Sequence, residues 1–499
     1  MIQRSDFEHI KQYEKLKKDA RYRRVEQMPY RYESIEKLLE NTHEIRRMFE
    51  DFTKVKRPRL DRLDDYYMAE NTDIYARTQR TDIDETLSDH RVSHAFAPYI
   101  SSFITSYTVG NPPTIEHDDE SLADLIRTFD DLNDINAHNY EVCTDSSIYG
   151  EGFELMYRNH DDKDMVVLVP KLNAFIIYDD TLQKNEIGSV IIRQVVRDGE
   201  TKTILTLYSD RFIYESMPLE DTESDKVVFG EPRPHPYGEQ PLNSFKNNRF
   251  GIGDYERVIP QIDAYDNAQS DTANYMTDLT DAILAISGAV NPDLDVQEVI
   301  SLKKARLMIL EDSVDAYGKF HPSKAEYIYK QYDVAGVEAY KKRLENDIHK
   351  LSYTPNFSEE NIGGSSSLSG EALSYRLVGL NQVRKIKETF FSRGFIKRYR
   401  MLARANQLEI GSALKITYHP NLPKAVLEEL KSYTAAGGRL STGTMLSLLS
   451  FVEDPDQELE AIQEEEERTL IGNYEDNFGF EGITENTATF ATAEDTDEE

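Results

Sequence analysis

The sequence predicts an α+β chain, predominantly helical and built in several parts. Three observations carry that prediction. Residues 31–140 and much of 333–406 place apolar side chains at three- and four-residue spacing. Residues 152–230 switch to short β-branched and aromatic runs punctuated by turns. The chain has 499 residues, 39% of them hydrophobic and 10% aromatic. That is length for roughly three domains and enough apolar surface to exclude global disorder.

Each segment follows from its own pattern. Residues 34–52 carry Ile35, Leu38, Leu39, Ile45, Met48 and Phe49 near helical spacing. Tyr107-Thr108-Val109-Gly110-Asn111-Pro112-Pro113 breaks the chain, because Pro and Gly interrupt regular structure. Ser121 is expected to cap one helix running to about Tyr149, with Asp124 at the capping-box position. Residues 165–169 and 174–178 read as strands, and 189–196 with 201–208 as a hairpin around Asp198-Gly199, residues that tolerate positive φ. The proline-rich stretch 230–241 reads as a loop.

A long helix is expected over 254–286, with Pro260 in its first turn. Its apolar positions are Tyr255, Val258, Ile262, Tyr265, Thr272, Met276, Leu279 and Ile283. At 100° per residue Asp263, Asp271 and Asp278 fall opposite, so one face should pack and the other be acidic. Gly288 and Pro292 end it. Residues 296–302 read as helical and 305–311 as strand-like. A second amphipathic helix spans 333–352 on Val337, Tyr340, Leu344, Ile348 and Leu351. Residues 354–367 form a loop. A helix returns over 370–406, where Gly379 and Gly394 suggest a bend. Residues 382–404 hold eight Lys/Arg and one Glu, so 8 − 1 gives +7 and a basic helical surface. Short helices are expected over 423–436 and 441–449.

Charge limits the function. The total is −33, from 58 Lys+Arg against 91 Asp+Glu. A protein that grips nucleic acid should be basic, since affinity comes from displacing phosphate counterions. Residues 453–499 hold 18 acids and one Arg, a net of −17, and the last part of this tail is expected to be disordered. Residues 1–60 run the other way at 16 − 11 = +5. Such opposed regions suit complementary surfaces in an assembly. No apolar run is long enough to span a membrane, and no apolar secretory h-region follows Met1. The lone Cys143 cannot form an internal disulfide and reads as a buried structural thiol in a reducing compartment.

Motifs for catalysis are missing from the sequence. No Walker A, H-E-x-x-H, C-x-x-C or G-x-S-x-G pattern occurs, and the 11 His do not pair at metal-ligand spacing. Gly251-Ile252-Gly253-Asp254 lacks the third glycine of a dinucleotide fingerprint. Asp161-Asp162-Lys163-Asp164 lacks the glycine and distal glutamate of a calcium loop and reads as a turn. Asp179-Asp180 also reads as a turn, with the metal pair of a nuclease as the alternative. The reading is therefore of a protein that is not an enzyme and holds no cofactor or metal. An acidic capsid scaffold is the other alternative.

Four blocks, in order, resemble the portal proteins of long-tailed phages that infect Gram-positive bacteria. Tyr107-Thr108-Val109-Gly110-Asn111-Pro112 resembles the family's tyrosine-glycine-asparagine-proline turn. Asp145-Ser146-Ser147-Ile148-Tyr149-Gly150-Glu151-Gly152-Phe153-Glu154-Leu155-Met156-Tyr157 looks like its helix-to-strand entry. Pro241-Leu242-Asn243-Ser244-Phe245-Lys246-Asn247-Asn248, with the helix around Ile262-Asp263-Ala264-Tyr265-Asp266, looks like its run into the channel stem. Asp347-Ile348-His349-Lys350 through Gly363-Gly364-Ser365-Ser366 is similar to its stem-to-tunnel-loop block.

The resemblance implies a cyclic homo-oligomer of about twelve copies around a DNA channel at one capsid vertex. Residues 1–253 would form the wing, 254–286 and 333–353 the stem, and 287–332 the clip. Residues 354–368 would be the tunnel loop, 369–405 a long wing helix and 406–470 the crown; the acidic tail, 471–499, falls outside the shared pattern. The implied partners are the terminase large subunit, a head-tail adaptor, the major capsid and scaffold proteins, and double-stranded DNA passing without sequence readout. The virion is the implied location, with assembly in the host cytoplasm. Tunnel-loop residues Asn356, Ser358, Glu359, Glu360, Asn361, Gly363, Gly364, Ser365, Ser366 and Ser367 would approach DNA. The acidic stem face of Asp263, Asp271 and Asp278 would repel it. Lys303, Lys304 and Arg306 would be clip contacts.

Overall fold

The computed structural model describes residues 28–82, 87–197, 199–221, 225–279, 283–287, 313–314, 320–321, 324–328, 333–356, 377–408, 414–420, 441–447, 452, 458–459 and 461–463. The expected elements at 296–302, 305–311 and 423–436 lie outside them, as do most of the loop and the acidic tail. The chain divides into two compact units, Met1–Ser365 with Tyr375–Asn421, and Ser366–Ser374 with Leu422–Glu499. In the second unit a short helix, Thr442–Ser447, lies where 441–449 was expected.

Helices dominate the start. After β1 (Tyr30–Arg31) come α1 (Ile35–Glu40) and α2 (Thr42–Asp51), a π-helical turn (Phe52–Lys56) and α3 (Arg57–Tyr67). Ser34 caps α1 by accepting from the Lys37 amide at 3.3 Å, and Ile35, Leu38, Ile45 and Met48 are buried as their spacing required. The π-helical turn stands just before Pro58, whose missing N–H and ring a regular helix cannot absorb. Next are α4 (Thr72–Tyr75), α5 (Phe96–Val109) and β2 (Thr114–Glu116).

The single helix expected to Tyr149 is two helices, α6 (Glu120–Leu132) and α7 (Ile135–Tyr149). Asp119 rather than Ser121 is the cap, accepting from the Ser121 and Leu122 amides. Asp134 turns left-handed at φ 45°, which Asp and Asn tolerate. Asn133 holds the break by donating to Phe129 O and Asp164 O and accepting from the Val166 amide.

The β part is larger than a predominantly helical fold implies. The structure is mixed, with fifteen strands among the described residues. A three-stranded antiparallel sheet has order β10-β3-β4, from β3 (Glu151–Arg158), β4 (Asp164–Val169) and β10 (Leu242–Lys246). A six-stranded sheet has order β1-β5-β6-β7-β8-β9, with β5 (Ala174–Tyr178), β6 (Glu186–Arg197), β7 (Glu200–Tyr208), β8 (Phe212–Glu215) and β9 (Arg233–Pro234). All its pairings are antiparallel except β1 with β5. The β6–β7 hairpin closes at Arg197 opposite Glu200, with Gly199 at φ 79°. The expected loop 230–241 thus contributes one short edge strand.

Helix α8 (Ile259–Leu279) is followed by β11 (Ile283–Ser287). The helix expected to 286 therefore stops earlier, and Ile283 is in a strand. Short β12 (Ser313–Val314) and β13 (Phe320–His321) pair with each other, and β14 (Lys324–Ile328) pairs antiparallel with β11. Then come α9 (Val334–Ser352), α10 (Val378–Ala405) and β15 (Lys415–Thr417), which pairs with β2.

The core gathers where α7, β3, β10 and α10 meet, with Val142, Cys143, Met156, Phe245, Phe391, Phe395 and Tyr399 buried together. Across it runs an ion pair in which neither side chain is exposed, Glu154 on β3 with Arg398 on α10. The Arg398 guanidinium donates to both carboxylate oxygens at 2.5–3.1 Å and to Asn139 Oδ1 at 2.8 Å. His138 and Asn243 complete the shell of Glu154 at 2.9 and 2.8 Å. Burial alone would raise the Glu154 pKa, but Arg398 and His138 outweigh it and hold the carboxyl at about 2.

Half of the cations expected on the surface of α10 are buried: Arg384, Lys387, Lys397 and Arg398. Lys387 binds Asp254, Lys397 binds Glu186, and Arg400 and Arg404 both bind Glu239. Arg384 pairs with Glu388. The helix is continuous through Gly394, whose absence of a side chain answers to packing: a Cβ there would lie 2.4 Å from the Phe245 ring.

Two stability measurements test this core. Glu154→Leu leaves Arg398 buried without a counterion and should lower unfolding free energy by about 3–5 kcal/mol; Glu154→Leu with Arg398→Met should recover most of it in chemical denaturation. Gly394→Ala should cost about 1–3 kcal/mol by overpacking against Phe245, where a solvent-facing helical Gly would have gained stability from the same change.

Candidate functional site

Helix α8 is held by polar groups. From Ile262 on, its buried positions step by four: Ile262, Asp266, Ser270 and Asn274. Opposite them runs segment 88–94, which is neither helix nor strand. Asp266 accepts from the His94 amide at 3.1 Å and meets His94 Nδ1 at 2.8 Å, and Asn71 also donates to it. Ser270 Oγ accepts from the Val92 amide at 2.9 Å. Asn274 exchanges two bonds with the His90 backbone, and Asp278 accepts from the Ser88 amide and hydroxyl. Every second residue of the segment meets every fourth residue of the helix. The match is geometric, since two extended residues rise about 6.6 Å and four helical residues about 6 Å.

This corrects the expected division of α8 into an apolar packed face and an acidic outer face. Asp278 is tied to Arg80 at 2.8 Å and to Ser88. Burial pushes its pKa up, but the bonds from Ser88 and Arg80 prevail and pull it down. Asp263 accepts from Tyr66 and lies 3.5 Å from Arg62, and burial raises its pKa. Asp271 is exposed, with Arg77 at 3.6 Å. Of the expected apolar stripe, Ile262 is buried while Met276 is half exposed.

Helix α9 packs along α8, with Lys341 donating to Gln269 at 3.2 Å. Asp333 caps it through the Gly336 amide at 3.0 Å. Leu344 and Ile348 are buried as expected, whereas Tyr340 and Leu351 are half exposed. At its end Tyr353 takes φ 61° and lies against Gly379 at the start of α10. The two ends of the intervening loop therefore meet.

The near end is anchored by residues the sequence reading did not single out. Thr354 donates its amide to His349 O at 3.1 Å, and its hydroxyl meets His349 Nδ1 at 3.2 Å and Ser352 Oγ at 2.7 Å. Tyr99 on α5 donates to Pro355 O at 3.0 Å. The His349 ring stands edge-on to Phe96 and Tyr99. Asn356, read as a loop residue facing DNA, turns back and donates to Glu345 at 3.1 Å. Ser358, Glu359, Glu360, Asn361, Gly363, Gly364, Ser365, Ser366 and Ser367 lie outside the described residues, as do Lys303, Lys304 and Arg306.

The alternative centres resolve into structural roles. Asp179 accepts from the Thr181 amide and hydroxyl and from the Asn185 amide and side chain. Burial opposes ionisation, but those bonds prevail and lower its pKa. With both oxygens engaged, the pair with Asp180 is a turn and not a nuclease metal site. Among the described residues no His/Cys/Asp/Glu group has the geometry of a metal site. Gly251-Ile252-Gly253-Asp254 is a junction: Asp254 gathers Ser147, Asn247 and Lys387 at 2.6–2.8 Å. The Asp161–Asp164 run turns between β3 and β4, with Asn159 accepting from the Asp161 and Lys163 amides.

Comparison with known proteins bears on this arrangement. The family model described as "Phage portal protein, SPP1 Gp6-like" matches residues 49–470, which take in both helices and the loop between them. The chain belongs to this portal family. It is similar to the portal protein of Bacillus phage SPP1, 24% identical over 433 residues, covering 80% of this chain and 82% of that one. Among solved structures it is similar to a chain from the neck of an empty gene transfer agent particle computed with C6 symmetry, at TM-score 0.42 and 12% identity. A native-particle neck computed with C12 symmetry gives TM-score 0.40 and 12% identity; both alignments cover 71% of this chain, and 90% and 89% of theirs. The portal family is a structural one.

The loop base carries a pH dependence. Burial lowers the His349 pKa from 6.5, with Glu345 opposing. A released imidazole takes a proton near 6.5 while the docked one resists it, so docking is favoured above that pH and weakens as pH falls. Corrected amide exchange across 349–356 should quicken between about pH 7.5 and 5.5, and His349→Gln should flatten the difference.

Proposed function

We propose that this portal protein assembles as a closed ring, with twelve copies expected, around a channel for double-stranded DNA at one vertex of the virion. The carrying observation is the α8–α9 pair, whose polar-locked stem leads into a loop clamped at both ends, within the stretch that matches the family model. The described α8 and α9 are the stem, residues 287–332 the clip, 354–368 the tunnel loop and 406–470 the crown. The packaging motor's terminase large subunit and later a head-tail adaptor dock at the clip. The shell and scaffold proteins surround the wing, and assembly takes place in the host cytoplasm.

Charge supports passage without grip. The chain carries −33, and most cations of α10 are consumed by internal partners. On α10 this leaves Lys385 and Arg393 without an ion pair among the described residues, fewer than the several Lys or Arg contacts that holding phosphate needs. The chain is a passive conduit, and the energy for packaging comes from the motor.

Negative-stain images of the purified chain should show rings with a central hole. Shortening 357–368 should leave rings intact and reduce DNA packaged per particle several-fold. Monomers at every concentration would defeat the ring, and loss of rings on shortening would assign the loop to assembly instead.

A further inference from the structure

A cleft of about 290 Å³ lies between the three-stranded and six-stranded sheets. Leu155, Leu168, Val169 and Pro170 line it from β3, β4 and the residue that leaves β4, and Ile191 and Ile192 line it from β6. It adjoins a small core shared by the two sheets, in which Val169 and Ile191 are buried and Leu155 and Tyr208 pack against them. Ligand pockets run from about 300 to 1,000 Å³, so this one has room for the end of a chain rather than for a whole cofactor.

Its rim is cationic. Cross-strand pairing sets Ile191 opposite Thr206 and Thr206 opposite Glu215, so the three share one face of the sheet. Arg193 stands two residues beyond Ile191, and Arg233 pairs with Ile213, two residues before Glu215, so both fall on that face as well. All of these but Ile213 line the cleft. Arg193 and Arg233 each bind Glu215 through one nitrogen, and both at the same oxygen, Oε2, at 2.7 and 3.4 Å. The same Arg193 nitrogen meets Thr206 Oγ1 at 3.4 Å. Two cations thus share one acid, and their other N–H groups make no hydrogen bond among the described residues. A guanidinium fork fits two oxygens at once, so the rim has an unfilled place for a second carboxylate. Asn173 and Tyr208 also line the cleft, and neither the side-chain amide of the one nor the hydroxyl of the other has a hydrogen-bond partner among the described residues.

We propose that this cleft receives the carboxy-terminal residue of a partner peptide that ends in an apolar side chain. Its carboxylate lies between Arg193 and Arg233, its side chain enters along Val169 and Ile191, and its last amide N–H meets Asn173. Capture of a chain end by charge and fixed donors is a recurring mode of peptide recognition. A peptide end fits better than a fatty acid. An aliphatic carboxylate would satisfy the arginines yet cover Asn173 and Tyr208 without giving them partners, which costs affinity. Glu215 is then an internal competitor, holding both arginines until the ligand's carboxylate arrives. The contact uses one copy alone, so a monomer and a ring would show it equally and it does not depend on the ring reading.

Fluorescence polarisation on the full chain tests it, with a labelled hexapeptide ending Ala-Leu as the probe. The free acid should bind saturably and its carboxy-terminal amide about tenfold more weakly, since the charge is gone. Ending the peptide in Ser should cost roughly fivefold, for the lost apolar contact. Arg193→Gln and Arg233→Gln should each weaken binding about tenfold. Their side chains are 47% and 67% exposed, so the fold should survive, and melting curves check that it does. Glu215→Gln should act in the opposite sense and tighten binding several-fold, because the competing charge goes while the shape stays; a merely structural role for Glu215 would give loss instead. Octanoate should displace the probe only at about tenfold higher concentration or more. Absence of saturable binding, equal binding of acid and amide, or weaker binding in Glu215→Gln overturns the proposal. Octanoate competing as well as the peptide itself overturns it too, and assigns the cleft to free aliphatic acids.

Discussion

A guanidinium and a carboxylate with no solvent exposure, Arg398 and Glu154, fix the relation between the long helix α10 and the sheet beneath it. Removing both from water is expensive, and only close geometry with every remaining lone pair and proton satisfied offsets it. Here His138, Asn139 and Asn243 satisfy them. Such a set tolerates one registration of helix on sheet, because a slip of one residue would bury an unpaired charge. The same helix then distributes its other cations. Lys387 reaches Asp254 just before α8, Lys397 reaches Glu186 on the six-stranded sheet, and Arg400 and Arg404 reach Glu239. One spine thus locates both sheets, the start of α8 and the far end of the loop after α9.

The α8–α9 pair uses a different device. Buried Asp266, Ser270 and Asn274 would ordinarily destabilise a packed helix face, yet each finds backbone or side-chain donors on segment 88–94. A polar lock of this kind specifies register more sharply than an apolar stripe, since each displaced group would lose a bond while buried. It also leaves Met276, Tyr340 and Leu351 half exposed along the helix pair. Apolar side chains exposed together along one helix pair are the kind of surface that other proteins cover.

What could be read from the sequence was local. The β6–β7 hairpin, the extent of α9 and the burial of Leu344 and Ile348 follow from turn chemistry and spacing within a few residues. The break at Asp134 was missed because its stabilising partner, the β4 backbone, lies some thirty residues away through Asn133. The reading of α10 as a basic surface failed for the same reason on a larger scale. Its partners Glu154, Glu186, Glu239 and Asp254 are remote in sequence, and a net of +7 on a helix does not tell inward cations from outward ones. Gly394 illustrates the limit: propensity marks it as a weak point, while the Phe245 ring makes it a requirement. The acidic face of α8 was misassigned because apolar periodicity is blind to a packed face built from Asp, Ser and Asn.

These pairings also change the meaning of the −33 charge. Internal ion pairs remove acids and bases in equal number, so they leave the net untouched while taking Arg384, Lys387, Lys397 and Arg398 off the surface of α10. That surface is therefore far less attractive to a polyanion than its sequence implies. The pairing also settles what these cations do: a guanidinium held by Glu154 or an ammonium held by Asp254 fixes a helix in place and is not available to a phosphate.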